Sequence, residues 1–319
     1  MVCNTIFLFG SEDHGAVNYF NTLFENCSFR RIQFFNLCEL EDFHNANKDH
    51  YVVLTGSSLG DDTLDKNAIN FCNNNNVLSC SVIEHWSWYL ERFRTSKGFV
   101  FPNKILLNDD IAKKEALKSG IPKSKIEVLG NPVLESLSRQ GTHRKNLIQN
   151  QLLSKYNIPN NKKSVLFISE QLTEFRQGNT DLLGYDEFTT FDIIHSIFMN
   201  LGYHIIIKSH PTESERKYGQ HSYIRSISVN ELAKIPDVVI GMGSMLLLEL
   251  AMFRDDVISF RPNSKTSFIG KKLGAVISVT DRNRLIPSIS RKAENIDTFR
   301  KHFLGSRKQI LSYLSILKQ

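Results

Sequence analysis

The sequence predicts an α/β protein made of two Rossmann-like halves. The chain has 319 residues, which is long for a single hydrophobic core and favours about two domains. Short apolar runs alternate with helical stretches, and the second half of the chain repeats this alternation. Strand–helix alternation is typical of parallel sheets that carry helices on both faces. We therefore expect two Rossmann-like domains that face each other across a cleft.

The elements follow in order from the apolar runs. The predicted strands of the first half are Thr5–Phe9, Arg31–Phe35, Tyr51–Thr55, Val77–Ile83, Lys104–Leu107 and Ile126–Leu129. Those of the second half are Ser164–Ser169, Tyr203–Lys208, Tyr223–Ile227, Asp237–Ile240, Asp256–Phe260 and Ala275–Val279. The polar stretch between Arg139 and Lys163 resembles a linker. We therefore place one domain at 1–145, a second at 146–295, and an amphipathic C-terminal helix at 296–319 that packs back on the first domain.

Composition and charge narrow the class of protein. Hydrophobic residues make up 41% of the chain and charged residues 23%, as in soluble globular proteins. The net charge of +6 is concentrated in the C-terminal tail, and no nucleic-acid recognition module is visible, so nucleic acid is not an expected partner. The five cysteines have no CxxC spacing and indicate reduced thiols in the cytoplasm. The longest apolar run, 238–253, is too short to span a bilayer and contains Glu249.

A phosphate-binding turn is predicted after the strand that ends at Ile240. Gly241 to Ser244 form a glycine-containing turn, and a helix-forming run follows from Leu246. The free N–H groups of a first helical turn favour an anion, and Ser244 can both cap the helix and donate to a phosphate oxygen. A tight turn between two core elements is the alternative interpretation.

A second strand end predicts positive charge at the same edge of the sheet. The run Tyr203–Ile207 leads directly into Lys208 and His210, followed by Pro211. Ligands of open α/β sheets bind beyond the carboxyl ends of the strands. Lys208, His210 and Ser244 are therefore expected to converge on an anionic ligand.

The loop after the first strand offers candidate catalytic groups. Glu12, Asp13 and His14 stand between that strand and the first predicted helix. A carboxylate beside an imidazole can act as a general base with a group that orients it. The alternative is structural: Asp13 would only cap the helix that follows.

A cluster of polar and aromatic residues follows the strand that ends at Ile83. Glu84, His85, Trp86 and Arg92 lie in this segment. Carboxylates can bind sugar hydroxyls while rings stack on sugar faces, so the cluster is a candidate acceptor site. The alternative is a helix start whose aromatic residues belong to the core.

Together these motifs resemble bacterial surface-polysaccharide glycosyltransferases of the GT-B fold, over essentially the whole chain. The residues His210-Pro211 and the Ser244 turn are similar to the His-Pro and Ser/Thr motifs of sialyltransferases and of Kdo and capsule transferases. That resemblance implies a CMP-activated sugar donor, with a UDP-sugar as the alternative, and an acidic motif that supplies the base. Here Glu12-Asp13 is separated from Gly15 by His14, and Met245 follows Ser244.

The resulting hypothesis is a metal-independent glycosyltransferase that needs no cofactor and moves a sugar to a surface-glycan or lipid-linked acceptor. Catalysis is assigned to Asp13, His14 and Glu12. Donor binding is assigned to Lys208, His210, Pro211, Gly243, Ser244, Met245 and Glu249, the last through ribose hydroxyls. The alternatives are a hydrolysing sugar-nucleotide 2-epimerase and a non-catalytic nucleotide-binding subunit of a capsule complex. The basic C-terminal helix is compatible with contact to the inner face of an anionic membrane and equally with a solvated polar face.

Overall fold

The computed structural model describes residues 5–47, 49–140, 146–175, 183–210, 213 and 217–317. Internal contacts divide the chain into two compact units. The N-terminal unit comprises Met1–Ser136 with Phe303–Gln319, and the C-terminal unit comprises Leu137–His302. The domain limits proposed from the sequence do not coincide with this division and remain predictions.

The N-terminal unit is a parallel sheet covered by helices. In chain order its elements are β1 (Ile6–Gly10), α1 (His14–Phe24), β2 (Arg30–Gln33), α2 (Leu37–Ala46), β3 (Tyr51–Thr55), α3 (Leu64–Asn74), β4 (Leu78–Ile83), β5 (Arg94–Thr95), β6 (Gly98–Phe99), β7 (Lys104–Leu107), α4 (Asp110–Ser119), β8 (Ile126–Val128) and α5 (Pro132–Arg139), which crosses the limit of the unit. The six-stranded sheet has the order β2-β1-β3-β4-β7-β8, and all its strands are parallel.

The C-terminal unit repeats this construction. Its elements are α6 (Asn146–Lys155), β9 (Ser164–Ile168), α7 (Leu172–Phe175), α8 (Glu187–Asn200), β10 (His204–Lys208), β11 (Ser222–Ile224), α9 (Val229–Leu232), β12 (Val238–Gly241), α10 (Met245–Ala251), β13 (Val257–Phe260), α11 (Ile269–Lys272), β14 (Ile277–Val279), α12 (Leu285–Ser288) and α13 (Ile296–His302), and α14 (Ser306–Ile316) returns to the N-terminal unit. Its sheet has the order β11-β10-β9-β12-β13-β14, again parallel.

Strand β1 shows why continuous apolar runs become strands here. Successive side chains of a strand point to opposite faces of the sheet. Ile6 and Leu8 pack in one core cluster with residues of α2 and α3, while Phe7 and Phe9 pack in another with residues of α1 and α14. A strand covered on both faces is therefore apolar along most of its length, and the parallel pairing of these strands confirms the predicted α/β class.

The predicted strands all appear, with ends that differ by a few residues. The short antiparallel hairpin of β5 and β6 was not predicted. Among the described cysteines, Cys72 and Cys80 are buried and Cys38 is exposed.

The C-terminal tail forms two helices, α13 and α14. The break falls at Gly305, whose φ of +92° is a left-handed conformation that glycine adopts without strain. Ile310 and Leu314 of α14 are buried in the core of the N-terminal unit, whereas α13 belongs to the C-terminal unit. Among the described residues, every helix is too short or too polar to cross a bilayer.

Candidate functional site

The carboxyl edge of the N-terminal sheet brings together three side chains that the sequence had placed in two separate sites. Asp13 follows β1, and Glu84 and His85 follow β4, with β3 between those two strands. One ligand-type atom from each of the three residues lies within 4.8 Å of the others. Nε2 of His85 lies 3.3 Å from Oε1 of Glu84. The base predicted in one motif and the acceptor-binding pair predicted in another thus form one carboxylate–imidazole cluster.

Helix α1 fixes the position of Asp13. The residue is the N-cap of that helix, and its Oδ1 accepts a hydrogen bond of 2.8 Å from the N–H of Gly15. The structural role considered for Asp13 is therefore real, but capping accounts for only one carboxylate oxygen. Its neighbour Glu12 is used elsewhere, since Oε1 of Glu12 accepts from the N–H of Leu64 at the start of α3. His14 is exposed on the first turn of α1.

The two carboxyl groups of the cluster have pKa values pushed in opposite directions. Burial raises the pKa of Asp13, and the charge of Glu84 raises it further. Burial would also raise the pKa of Glu84, but His85 and then Arg92 outweigh it and lower that pKa to about 2. Glu84 is therefore the ionised member of the pair, and Asp13 is the one that more readily holds a proton.

Two residues assigned to acceptor binding make contacts within the fold. Arg92 is buried, and its guanidinium donates to the backbone carbonyls of Ser57 (2.8 Å) and Ser87 (3.0 Å). The indole Nε1 of Trp86 donates to Asp109 at 2.8 Å, and its ring packs against Phe303. These contacts hold both side chains in the fold, and their assignment to an acceptor stays a prediction.

In the C-terminal unit a carboxylate of the chain itself occupies the predicted phosphate turn. Oε1 of Glu170, which follows β9, accepts hydrogen bonds from the N–H groups of Gly243 (2.6 Å) and Ser244 (2.9 Å). Ser244 is the N-cap of α10, as predicted, and its Oγ accepts from the N–H of Leu246. Adjacent N–H groups that point the same way bind an anion, and Glu170 supplies that anion. In this structure the two N–H groups assigned to a donor phosphate are therefore already engaged by Glu170.

This placement makes Glu170 an unusual carboxyl group. Burial raises its pKa to about 7, although the N–H donors of Gly243 and Ser244 and the charge of Arg261 act in the opposite direction. The residue thus titrates close to neutral pH while it holds the start of α10.

Lys208 and His210 lie at the same edge as Ser244, as predicted. Strands β10 and β12 both pair with β9, so their carboxyl ends flank the position of Glu170. Nζ of Lys208 donates to the backbone carbonyl of Ser209 at 2.9 Å. Burial lowers the pKa of Lys208, while the charges of Glu213 and Glu249 counteract that shift. Glu249 and Met245 lie on α10, and Pro211 lies outside the described residues.

A buried network fixes the loop that carries His210. The N–H of His210 donates to Oε2 of Glu213 at 2.9 Å, and Oε1 of the same carboxylate accepts from Ser169 at 2.5 Å. Nζ of Lys217 bridges Glu213 (3.0 Å) and Glu187 (2.9 Å), and all three side chains are buried. Neither Glu170 nor Glu213 was predicted as a site residue from the sequence. A glutamate directly after the predicted strand 164–169 was the one available signal.

Comparison with known proteins identifies the fold. No protein-family model matches the chain, and no curated protein matches it. The chain resembles the UDP-GlcNAc 2-epimerase of Methanocaldococcus jannaschii in complex with UDP-GlcNAc and UDP, at 13% identity and a TM-score of 0.66, over 98% of this chain and 99% of that one. It resembles Anabaena Alr3699/HepE in complex with UDP and glucose at 11% identity and a TM-score of 0.60, over 98% and 99%. The wall teichoic acid polymerase TagF matches at 12% identity and a TM-score of 0.52, over 98% and 88%. These likenesses, with the two parallel sheets, show a GT-B fold of two Rossmann-like domains.

Proposed function

We propose that this protein binds and processes a nucleotide sugar, and that the nucleotide is UDP. The observation that carries the proposal is the cluster of Asp13, Glu84 and His85 at the carboxyl edge of the N-terminal sheet, because it groups an acid, a base and an imidazole where α/β folds bind ligands. The fold supports the substrate class, since proteins of similar structure are described in complex with UDP-GlcNAc, UDP or UDP-glucose. No comparison favours the CMP-sugar that the motif resemblance implied.

The donor diphosphate is assigned to the C-terminal unit. Lys208 and His210 follow β10 and supply a cation and an imidazole, so that the phosphate charge is balanced without a metal ion at the phosphates. Glu249, on α10, is assigned to the ribose hydroxyls. The N–H groups of Gly243 and Ser244 become phosphate donors in this scheme only after the carboxylate of Glu170 has left them.

In the first candidate reaction the sugar is transferred to an acceptor hydroxyl. Asp13 takes the hydroxyl proton while the acceptor oxygen bonds to the anomeric carbon, and the bond from that carbon to the phosphate oxygen breaks to release UDP. A carboxyl group of raised pKa suits this role, because proton transfer is most efficient when the pKa of the base is near the working pH. The acceptor is assigned as a surface glycan or a lipid-linked sugar. For this reaction we also propose that the basic C-terminal residues contact an anionic membrane.

In the second candidate reaction the enzyme hydrolyses or 2-epimerises a UDP-sugar without an acceptor. The observation in its favour is the opposite direction of the two pKa shifts in one cluster, since Glu84 is ionised while Asp13 more readily holds a proton. Paired carboxyl groups of this kind supply the acid and the base of one reaction.

Product analysis decides between the two candidates. The protein is incubated with UDP-GlcNAc and with UDP-glucose, each with and without an oligosaccharide acceptor, and the sugars are followed by NMR. UDP release that requires the acceptor indicates transfer, whereas a free sugar or a 2-epimer without acceptor indicates the second reaction. Binding of UDP without turnover of any donor would indicate a non-catalytic subunit and contradict both candidates.

A further inference from the structure

The carboxylate of Glu84 is buried without the hydrogen bonds that a buried carboxylate normally accepts. The residue is 7% exposed, and within the described part of the chain neither Oε1 nor Oε2 accepts a hydrogen bond of good geometry, although Oε1 lies 3.3 Å from Nε2 of its ion-pair partner His85. Most buried polar side-chain atoms in folded proteins are hydrogen-bonded, so two such oxygens in one side chain require an explanation. These two oxygens belong to the Glu84 carboxylate, which lies beside Nε2 of His85 and close to Asp13.

We propose that Asp13, Glu84 and His85 form a binding site for one divalent first-row transition metal ion. Two carboxylate oxygens and an imidazole nitrogen are ligands that Mn²⁺, Co²⁺ and Zn²⁺ accept, and three protein ligands leave open positions at the ion. Ligand atoms on opposite sides of such an ion, each at about 2.1 Å, are about 4.2 Å apart. The cluster spans up to 4.8 Å, so a small contraction of its side chains closes it around an ion.

Gly15 keeps the space for this cluster open. A Cβ atom at this position would lie 2.7 Å from Oε1 of Glu84 and 3.1 Å from Oδ1 of Asp13. Its φ is not in the left-handed region, so backbone conformation does not by itself require glycine here. A side chain here would instead force the Glu84 carboxylate to shift.

The charges around the cluster are mixed. Arg92 faces it with a positive charge, but two of its N–H bonds are directed to the carbonyls of Ser57 and Ser87. A protonated His85 paired with Glu84 is the alternative way to balance the buried carboxylate, and it would leave no metal site. This proposal replaces the sequence-based expectation that the chain binds no metal. It does not depend on the proposed function, but an ion bound at this site would engage the Asp13 carboxylate that the transfer reaction uses as its base.

Titration with Co²⁺ alone tests the proposal, because cobalt bound to protein ligands absorbs visible light. The full chain is first treated with EDTA and dialysed, then titrated without nucleotide, and Zn²⁺ is added to displace the cobalt. We expect one Co²⁺ per chain, and we expect Glu84→Gln and His85→Asn each to weaken binding at least about tenfold. Asp61→Asn, which removes an exposed carboxylate of the same unit, is the matched control and should bind as the wild type does.

Gly15→Ala provides a second test in case Glu84→Gln fails to fold. The added methyl group would intrude on the cluster, so we expect Gly15→Ala also to weaken Co²⁺ binding. Wild-type protein that takes up no Co²⁺, or whose Co²⁺ binding is unchanged in His85→Asn and Gly15→Ala, would overturn the proposal. In that case the His85–Glu84 ion pair alone accounts for the cluster. The titration contains no nucleotide, so a protein that binds no Co²⁺ would contradict the metal site and leave the UDP-sugar proposal intact. A protein that binds Co²⁺ but no UDP would contradict only the UDP-sugar proposal.

Discussion

Glu170 and Gly243 lie 73 residues apart in the chain, yet the carboxylate of the first accepts a 2.6 Å hydrogen bond from the N–H of the second. The contact joins the ends of two neighbouring strands, β9 and β12, and extends to the N–H of Ser244. The anion-binding turn of the C-terminal unit is thus satisfied internally, by a group whose pKa burial raises to about 7. This relationship gives the first prediction.

Stability of the C-terminal unit should fall as the pH rises toward neutrality because of Glu170. The pKa in the folded state, about 7, lies above the ordinary value of 4.5, so the folded protein binds more protons than the unfolded one between these values. The contribution of Glu170 to the free energy of unfolding is therefore fully present below about pH 4.5. It declines between about pH 4.5 and pH 7 and is lost above about pH 7, a total change of up to about 3 kcal/mol. Hydrogen exchange of β12 and α10 in the wild type and in Glu170→Gln measures this difference.

We expect Glu170→Gln to gain protection relative to the wild type between pH 5 and pH 8. The matched control is Glu231→Gln. Glu231 is partly exposed, its side chain caps α9, and its pKa is lowered mainly by its hydrogen bond with the Ser228 side chain. Parallel pH profiles for the wild type and Glu170→Gln would show that the pKa of Glu170 is not raised.

Asp13→Asn should lower turnover of the UDP-sugar by roughly two or more orders of magnitude, the scale of a lost general base. Asparagine caps a helix as well as aspartate does, so α1 and nucleotide affinity should both be preserved. His14→Asn should cause a smaller loss, because His14 is exposed. Steady-state rates and a UDP titration of each variant provide the measurement. If the order of the two effects were reversed, His14 would be the base.

Helix α14 should depend on Glu135 for its attachment to the N-terminal unit. The buried carboxylate of Glu135 accepts from the N–H groups of Gly305 (3.0 Å) and Arg307 (2.7 Å), and Gly305 has no side chain to cap the helix. Glu135→Ala leaves those donors without this acceptor, and we expect a loss of about 1–3 kcal/mol. Because Trp86 packs against Phe303, urea unfolding followed by tryptophan fluorescence reports this change. A variant as stable as the wild type would mean that water replaces the carboxylate.

Lys217→Met should destabilise the C-terminal unit strongly. It removes the cation that bridges the buried carboxylates of Glu187 and Glu213, and an uncompensated buried charge costs about 3–5 kcal/mol. The exposed Lys265 supplies the control Lys265→Met. Circular dichroism during thermal unfolding should show a clear loss for Lys217→Met and none for the control. Equal melting temperatures would show that the network carries little stability.

Much of the fold could be predicted because buried parallel strands leave a local signal. Tyr51–Thr55 and Lys104–Leu107 are strands at the predicted bounds, since each is an apolar run that the sheet covers on both faces. The β5–β6 hairpin could not be recognised, because its strands have two residues each and no period to detect.

The candidate site was predicted in parts only. Asp13, Glu84 and His85 were each singled out, but the sequence does not say that β1 and β4 flank β3, which is what brings these residues together. The contacts that Trp86 and Arg92 make within the fold could not be predicted for a related reason. An aromatic or cationic side chain looks the same in sequence whether it faces a ligand or, as here, a backbone carbonyl or a buried carboxylate.

The central claim, that the chain binds a UDP-sugar through the strand end at Lys208, is tested most directly by isothermal titration with UDP in the presence of EDTA. We expect the wild type and the control Lys265→Ala to bind UDP alike, and we expect Lys208→Ala and His210→Ala each to lose about 1.5–3 kcal/mol of binding free energy, the range for a hydrogen bond to a charged group. Absence of UDP binding by the folded wild-type protein, or equal affinities in all four proteins, would contradict it.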